Sequence, residues 1–156
     1  LPQEIFAACS VRLHQPQPRV TLGLALRGIA HSAIDISDGL LADLGHVVEN
    51  SRVGAEIEFD ALPCSSAVRA LARPVGLKPE LQWEALIQHC ILAGGDDYEL
   101  CFTVPVVLRA EIEKIAAALA VPLTRIGKIV QGCGCTVYSA DGKTMQVKES
   151  GYDHFA

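Results

Sequence analysis

Two aspartates three positions apart, Asp35 and Asp38 in Ala33-Ile34-Asp35-Ile36-Ser37-Asp38-Gly39-Leu40, stand between an apolar strand-like run and the start of an amphipathic helix. A strand end and a first helical turn can bring two such carboxylates together just beyond a sheet. Two ionised carboxylates a few ångströms apart repel, and the usual remedies are a raised pKa on one of them or a divalent cation. Magnesium suits the second remedy, because it takes hard oxygen ligands, keeps several waters and is commonly completed by phosphate oxygens. Ser37 or Asp38 is then placed to cap the helix, and the amides of Gly39 and Leu40 to meet a phosphate at the positive end of the helix dipole. The plainer alternative makes Asp38 an N-cap and Asp35 a solvated strand end. Asp43 and His46, further along, are read as polar-face and structural residues.

A second acidic knot follows at Gly94-Gly95-Asp96-Asp97-Tyr98-Glu99-Leu100. The glycine pair permits a tight turn and a close backbone approach, and the three acids fall within four positions. If Tyr98 to Thr103 is a strand, Asp97 and Glu99 share one face and Asp96 lies in the loop. The alternative is an ordinary helix-to-strand connection with solubilising acids. Near the C-terminus, Gly151-Tyr152-Asp153-His154-Phe155 gathers two aromatics in a polar segment, suited either to stacking on a flat cationic ring or to anchoring the terminus. The six cysteines, at positions 9, 64, 90, 101, 133 and 135, sit mostly in apolar surroundings and read as buried reduced thiols. Cys133-Gly134-Cys135 has no second ligand pair at zinc spacing and reads as a turn.

These residues need a scaffold, and 156 residues, half of them hydrophobic, are enough for one domain over residues 1–156 with a sizeable core. No uncharged apolar run approaches the ~20 residues of a membrane span, which points to a soluble, cytoplasmic protein. A net charge of -5 without a basic stripe argues against nucleic acid as a partner. Residues 1 to 18 read as irregular, and residues 20 to 26 fit strand and helix alike. Strands are expected at about 32–37, 55–59, 98–104, 123–130, 135–139 and 144–148, with a hairpin turn at Asp141-Gly142. Helices are expected from Asp38 to about Ser51, at about 65–72 and 79–92, and over a stretch carrying Leu108, Ile112, Ile115, Ala116 and Leu119. The alternation predicts an α/β or α+β fold with helices packed on a mixed sheet.

In this order, Ala33 to Leu40, Gly94 to Leu100 and Gly151 to Phe155 resemble the thiamine-monophosphate kinase family, part of the AIR-synthetase-like ATP-binding superfamily. The resemblance covers essentially the whole chain, including Pro18-Arg19-Val20, and corresponds to the C-terminal half of that enzyme. It implies an AIR-synthetase C-terminal-domain fold and transfer of the γ-phosphoryl group of ATP to thiamine monophosphate, giving thiamine diphosphate. It further implies that Asp35 and Asp38 ligate Mg²⁺, that Ser37 touches the ATP phosphates, that Asp96 stands where the family often has a substrate-contacting glutamate, and that Tyr152 packs on the thiamine moiety. Phe155 is the alternative stacking partner. The family's N-terminal half, which supplies most of the ATP site and a homodimer interface, is missing here, and the chain opens on Leu1-Pro2 without a methionine; a fragment is expected, inactive alone. The competing readings are another ATP-dependent member of the superfamily and a non-catalytic ligand-binding module.

Overall fold

A computed structural model of the chain describes residues 3–71 and 83–147. Among these residues six α-helices and five strands run in the order α1 (Gln3–His14), α2 (Val20–Ala25), β1 (Ser32–Asp35), α3 (Leu40–Ser51), β2 (Gly54–Glu58), α4 (Ser66–Leu71), α5 (Trp83–Ala93), β3 (Leu100–Thr103), α6 (Arg109–Leu119), β4 (Gly127–Val130) and β5 (Gly134–Tyr138). The strands form two sheets. One is three-stranded and mixed, with β2 central, antiparallel to β4 and parallel to β5; the other is the antiparallel pair β1 and β3.

The core gathers where α3 lies over the mixed sheet. Leu40, Leu41, Leu44 and Val48 recur at helical spacing and are buried against Ala55 and Ile57 of β2, Val137 of β5, Leu62 and Leu92 of α5. Strand β2 alternates as its sequence demands, with Ala55 and Ile57 inward while Glu58 is exposed and Glu56 meets Lys128 across the strand pair at 2.8 Å. Each of the larger aliphatic side chains removed from water here contributes roughly 1.5–3 kcal/mol.

Two expectations are corrected and one open reading is decided. Residues 3–14, read as irregular, form helix α1, whose Glu4 in the first turn and Arg12 and His14 in the last suit the helix dipole. The ambiguous segment after Arg19 is helical because Leu22 and Leu26, four positions apart, are both buried. Residues 144–147 of the strand expected at 144–148 form only a bridge between Tyr138 and Thr144, residue 148 lying outside the described residues, although the Asp141-Gly142 turn forms, with Gly142 at φ +77° and its amide donating to the Ser139 carbonyl at 2.8 Å. The cysteines also differ from expectation: all six are free, but Cys9, Cys90 and Cys133 are exposed. Only Cys101 and Cys135 lie against the core, and burial pushes the Cys101 thiol up to about 11.

Candidate functional site

The register of β1 against β3 places the site. Asp35 is the last residue of β1 and pairs with Leu100, the first of β3, so the segments 36–39 and 94–99 leave the sheet at the same edge. Backbone pairing continues past the strands: the Ile36 amide donates to the Glu99 carbonyl at 2.9 Å, the Tyr98 amide to the Ile36 carbonyl at 3.1 Å, and the Asp96 amide to the Ser37 carbonyl at 2.9 Å. The two acidic motifs, almost sixty residues apart in sequence, are thereby stitched side by side.

Glycine makes the close approach possible. A Cβ on Gly95 would stand 2.4 Å from the Ser37 carbonyl oxygen, and one on Gly39 would stand 2.8 Å from the Ala93 carbonyl at the end of α5. Gly39 also carries φ +122°, a conformation L side chains rarely adopt. Beyond Gly95 the chain turns through two non-glycine residues with positive φ, Asp96 at +63° and Tyr98 at +54°. Each costs about 1–2 kcal/mol, and a bulky residue held this way marks a segment whose surroundings over-determine it. The Tyr98 hydroxyl donates to Asp96 Oδ1 at 3.3 Å, joining the two side chains. Strand β3 therefore begins at Leu100 rather than Tyr98, and the expected common strand face of Asp97 and Glu99 does not exist.

The N-terminus of α3 is built differently from the sequence expectation. Its N-cap is Gly39, without a side-chain cap, so neither Ser37 nor Asp38 plays that part. Asp43, from the helix's own first turn, reaches back: its Oδ2 accepts from the amides of Ser37, Asp38 and Gly39 at 2.9, 3.1 and 3.2 Å. Read from the sequence as a polar-face residue, Asp43 is 3% exposed. The Gly39 amide, expected to meet a phosphate, is bonded to it. A usable signal was its position three after Leu40 and four before Val47, on the apolar stripe, where a carboxylate must find donors. His46 is exposed.

Glu99 is the other anchored acid. Arg19, at the N-cap of α2, donates to both of its oxygens at 2.7 Å, and Arg12 of α1 adds a contact at 2.9 Å. Hydrogen bonding and charge from these guanidiniums hold the Glu99 carboxyl below its ordinary range despite partial burial. Asp97 moves the other way: loss of solvent around its carboxyl, together with the nearby Glu99 charge, raises it. No sequence pattern pointed to Arg12, and Arg19 stood out only through the resemblance.

Among the expected site residues, Asp35 and Ser37 are exposed and Asp38 is half-buried on one segment, and Asp96 is exposed on the segment bonded to it. Tyr152 and Phe155 lie outside the described residues. Among the described residues no group of three or more His, Cys, Asp or Glu side chains is arranged to hold a metal, and no helix is long and apolar enough to cross a membrane. An all-protein cage is thus absent from the described part. Two hard carboxylates on a fixed loop match a cation such as Mg²⁺, which takes one or two carboxylates and completes its shell with water and phosphate.

Comparison with known proteins agrees with this architecture. Residues 10–139 match the family described as AIR synthase related protein, C-terminal domain. Thiamine-monophosphate kinase of Haemophilus influenzae is 45% identical over 144 residues, covering 90% of this chain and 41% of that protein. The crystal structure of thiamine-monophosphate kinase from Stenotrophomonas maltophilia K279a superposes with a TM-score of 0.77 at 44% identity, over 93% of this chain and 42% of that one. A structure of AaThiL complexed with AMPPCP and TMP superposes with a TM-score of 0.72 at 30% identity, over 99% of this chain and 43% of that one. The chain spans about two fifths of the length of the relatives it matches. With 130 of its 156 residues inside the matched family, this chain belongs to the AIR synthase related proteins and represents their C-terminal domain.

Proposed function

We propose that this chain is the C-terminal domain of a thiamine-monophosphate kinase, a cytoplasmic enzyme that transfers the γ-phosphoryl group of ATP to the phosphate of thiamine monophosphate. The observation that carries the reading is the ladder of backbone hydrogen bonds joining Ile36 and Ser37 to Asp96, Tyr98 and Glu99, because it makes two separate acidic motifs into one surface. Relatives bearing the kinase name, and a structural relative holding AMPPCP and TMP, support it. Further domain sequence, a homodimer formed through it, and the absence of any nucleic-acid partner belong to the same proposal.

In this reading Asp35 and Asp38 hold Mg²⁺, the Ser37 hydroxyl contacts the ATP phosphates, Asp96 contacts thiamine monophosphate and Tyr152 packs on the thiazolium and pyrimidine rings. The cation supplies charge neutralisation between two phosphorylated substrates, and the protein's share of catalysis is positioning. Asp96 is held in a left-handed turn by its amide bond to Ser37, so a substrate contact made by its carboxylate keeps a fixed distance from the Asp35–Asp38 segment. Glu99, bonded by Arg12 and Arg19, ties that turn to α1 and α2 and is a support rather than a ligand.

The test is a Mg²⁺-dependent assay of the complete gene product with ATP and thiamine monophosphate, scoring thiamine diphosphate. Asp35 is exposed at a strand end, so Asp35→Asn should leave the thermal midpoint essentially unchanged while lowering kcat at least about 100-fold, the scale of losing one electrostatic stabiliser. No thiamine diphosphate from the folded complete protein sinks the assignment.

A further inference from the structure

Three consecutive amides converging on one oxygen form an anion-binding concavity, the device by which loops and helix N-termini commonly hold phosphate. In this protein the concavity formed by Ser37, Asp38 and Gly39 is filled from within by Asp43 Oδ2. None of the five ion pairs among the described residues involves Asp43, so its buried charge is balanced by amide dipoles and the α3 N-terminus alone. The other edge of the same loop is also committed, since the Ile36 and Ser37 carbonyls accept from Tyr98 and Asp96. A phosphate entering the amides would have to displace a buried carboxylate and face its charge; a cation drawn to Asp35 and Asp38 gains from it.

We propose that Asp43 is a positioning residue of the phosphoryl-transfer site: it closes the loop's amides to phosphate and fixes the backbone from which Asp35, Ser37 and Asp38 meet a cation. This rests on the function proposed above. Phosphate is then held at this loop through the cation and the Ser37 hydroxyl, never through the Ser37–Gly39 amides. Asp43 itself touches neither substrate nor reacting atoms.

The test compares Asp43→Asn, which retains an acceptor oxygen but loses the charge, with Asp43→Ala in the complete gene product. Mg²⁺ alone is titrated by calorimetry, and the Mg²⁺ dependence of turnover is measured in parallel. The expected result is a Mg²⁺ half-saturation raised at least tenfold in Asp43→Ala and by less in Asp43→Asn, with KM for thiamine monophosphate within twofold of the parent. Amide exchange at Ser37, Asp38 and Gly39 accelerates in Asp43→Ala. A loss of thermal stability with unchanged Mg²⁺ half-saturation overturns the proposal, because that is the signature of a purely structural residue. If Asp43→Ala does not fold, the same criterion applies to Asp43→Asn. A parent that binds Mg²⁺ through Asp35 yet makes no thiamine diphosphate removes the kinase reading and leaves the calorimetric comparison to decide the role of Asp43.

Discussion

Gly95 and Gly39 are two residues at which the site tolerates no side chain, since in both cases the obstructing atoms belong to backbone. A methyl group on Gly95 would press on the Ser37 carbonyl oxygen, which also accepts the Asp96 amide, and no rotamer change can relieve a 2.4 Å approach to a main-chain atom. Gly95→Ala is therefore expected to pry the two motifs apart, destabilising the chain by about 2–3 kcal/mol in urea denaturation. Gly39→Ala should cost at least as much, because φ +122° adds backbone strain to the collision with Ala93. A loss below about 0.5 kcal/mol for either would contradict the close packing described. That the segments carrying Asp35 to Asp38 and Gly94 to Glu99 matter to one place in the fold was legible because each motif's spacing is local. The burial of Asp43 was signalled by its place on the apolar stripe, but its three amide partners depend on a loop that curls back over the helix's first turn, a path no periodicity encodes.

At the level of elements, the Arg12–Glu99–Arg19 cluster ties α1, the α2 N-cap and the segment ahead of β3 together, and it gives the fold a definite acid response. The folded-state pKa of Glu99 lies below the ordinary 4.5, so the cluster's contribution is full above that pH and is lost as pH falls through the depressed value. Asp97 acts oppositely: its folded pKa is above the ordinary 3.8, so its ionised form costs stability at neutral pH and that cost is relieved on acidification towards 3.8. Glu99→Gln should lower stability near neutrality by on the order of 1 kcal/mol, allowing for solvent screening at a carboxylate 36% exposed, and should flatten the decline below pH 4.5. An acid limb unchanged in Glu99→Gln would show that other carboxylates carry it. The elements themselves divide by how they bury apolar surface. Helix α3 and strand β2 were legible because each turns a periodic face to one core. Helix α1 was not, because Phe6, Val11 and Leu13 are all exposed, and among its described side chains none is buried. Of the strand expected at 144–148, residues 144–147 follow the Asp141-Gly142 turn back along the free edge of β5 with the Tyr138–Thr144 bridge and the Met145 amide donating to the Val137 carbonyl, too little pairing to form a strand.

For the whole molecule, the candidate site offers acceptor groups at one sheet edge, and the relatives this chain matches extend well beyond the length it covers. Its surface carries Asp35, Asp38, Asp96 and Asp97 on a chain of net charge -5, while Arg12 and Arg19 are engaged with Glu99. A nucleoside triphosphate approaching this face alone meets like charge, and the Ser37–Gly39 amides that would otherwise attract a phosphate are occupied. The isolated 156-residue chain is accordingly expected to show no ATP binding by calorimetry without Mg²⁺, and only weak binding, well short of sub-micromolar, when Mg²⁺ is present. If the proposed kinase reading holds, the complete gene product should bind tightly under the same Mg²⁺ conditions, with the difference in affinity measuring what sequence outside this chain supplies. Sub-micromolar ATP affinity of the isolated chain would mean that these residues form a nucleotide site on their own, and the division of labour between two domains would have to be abandoned.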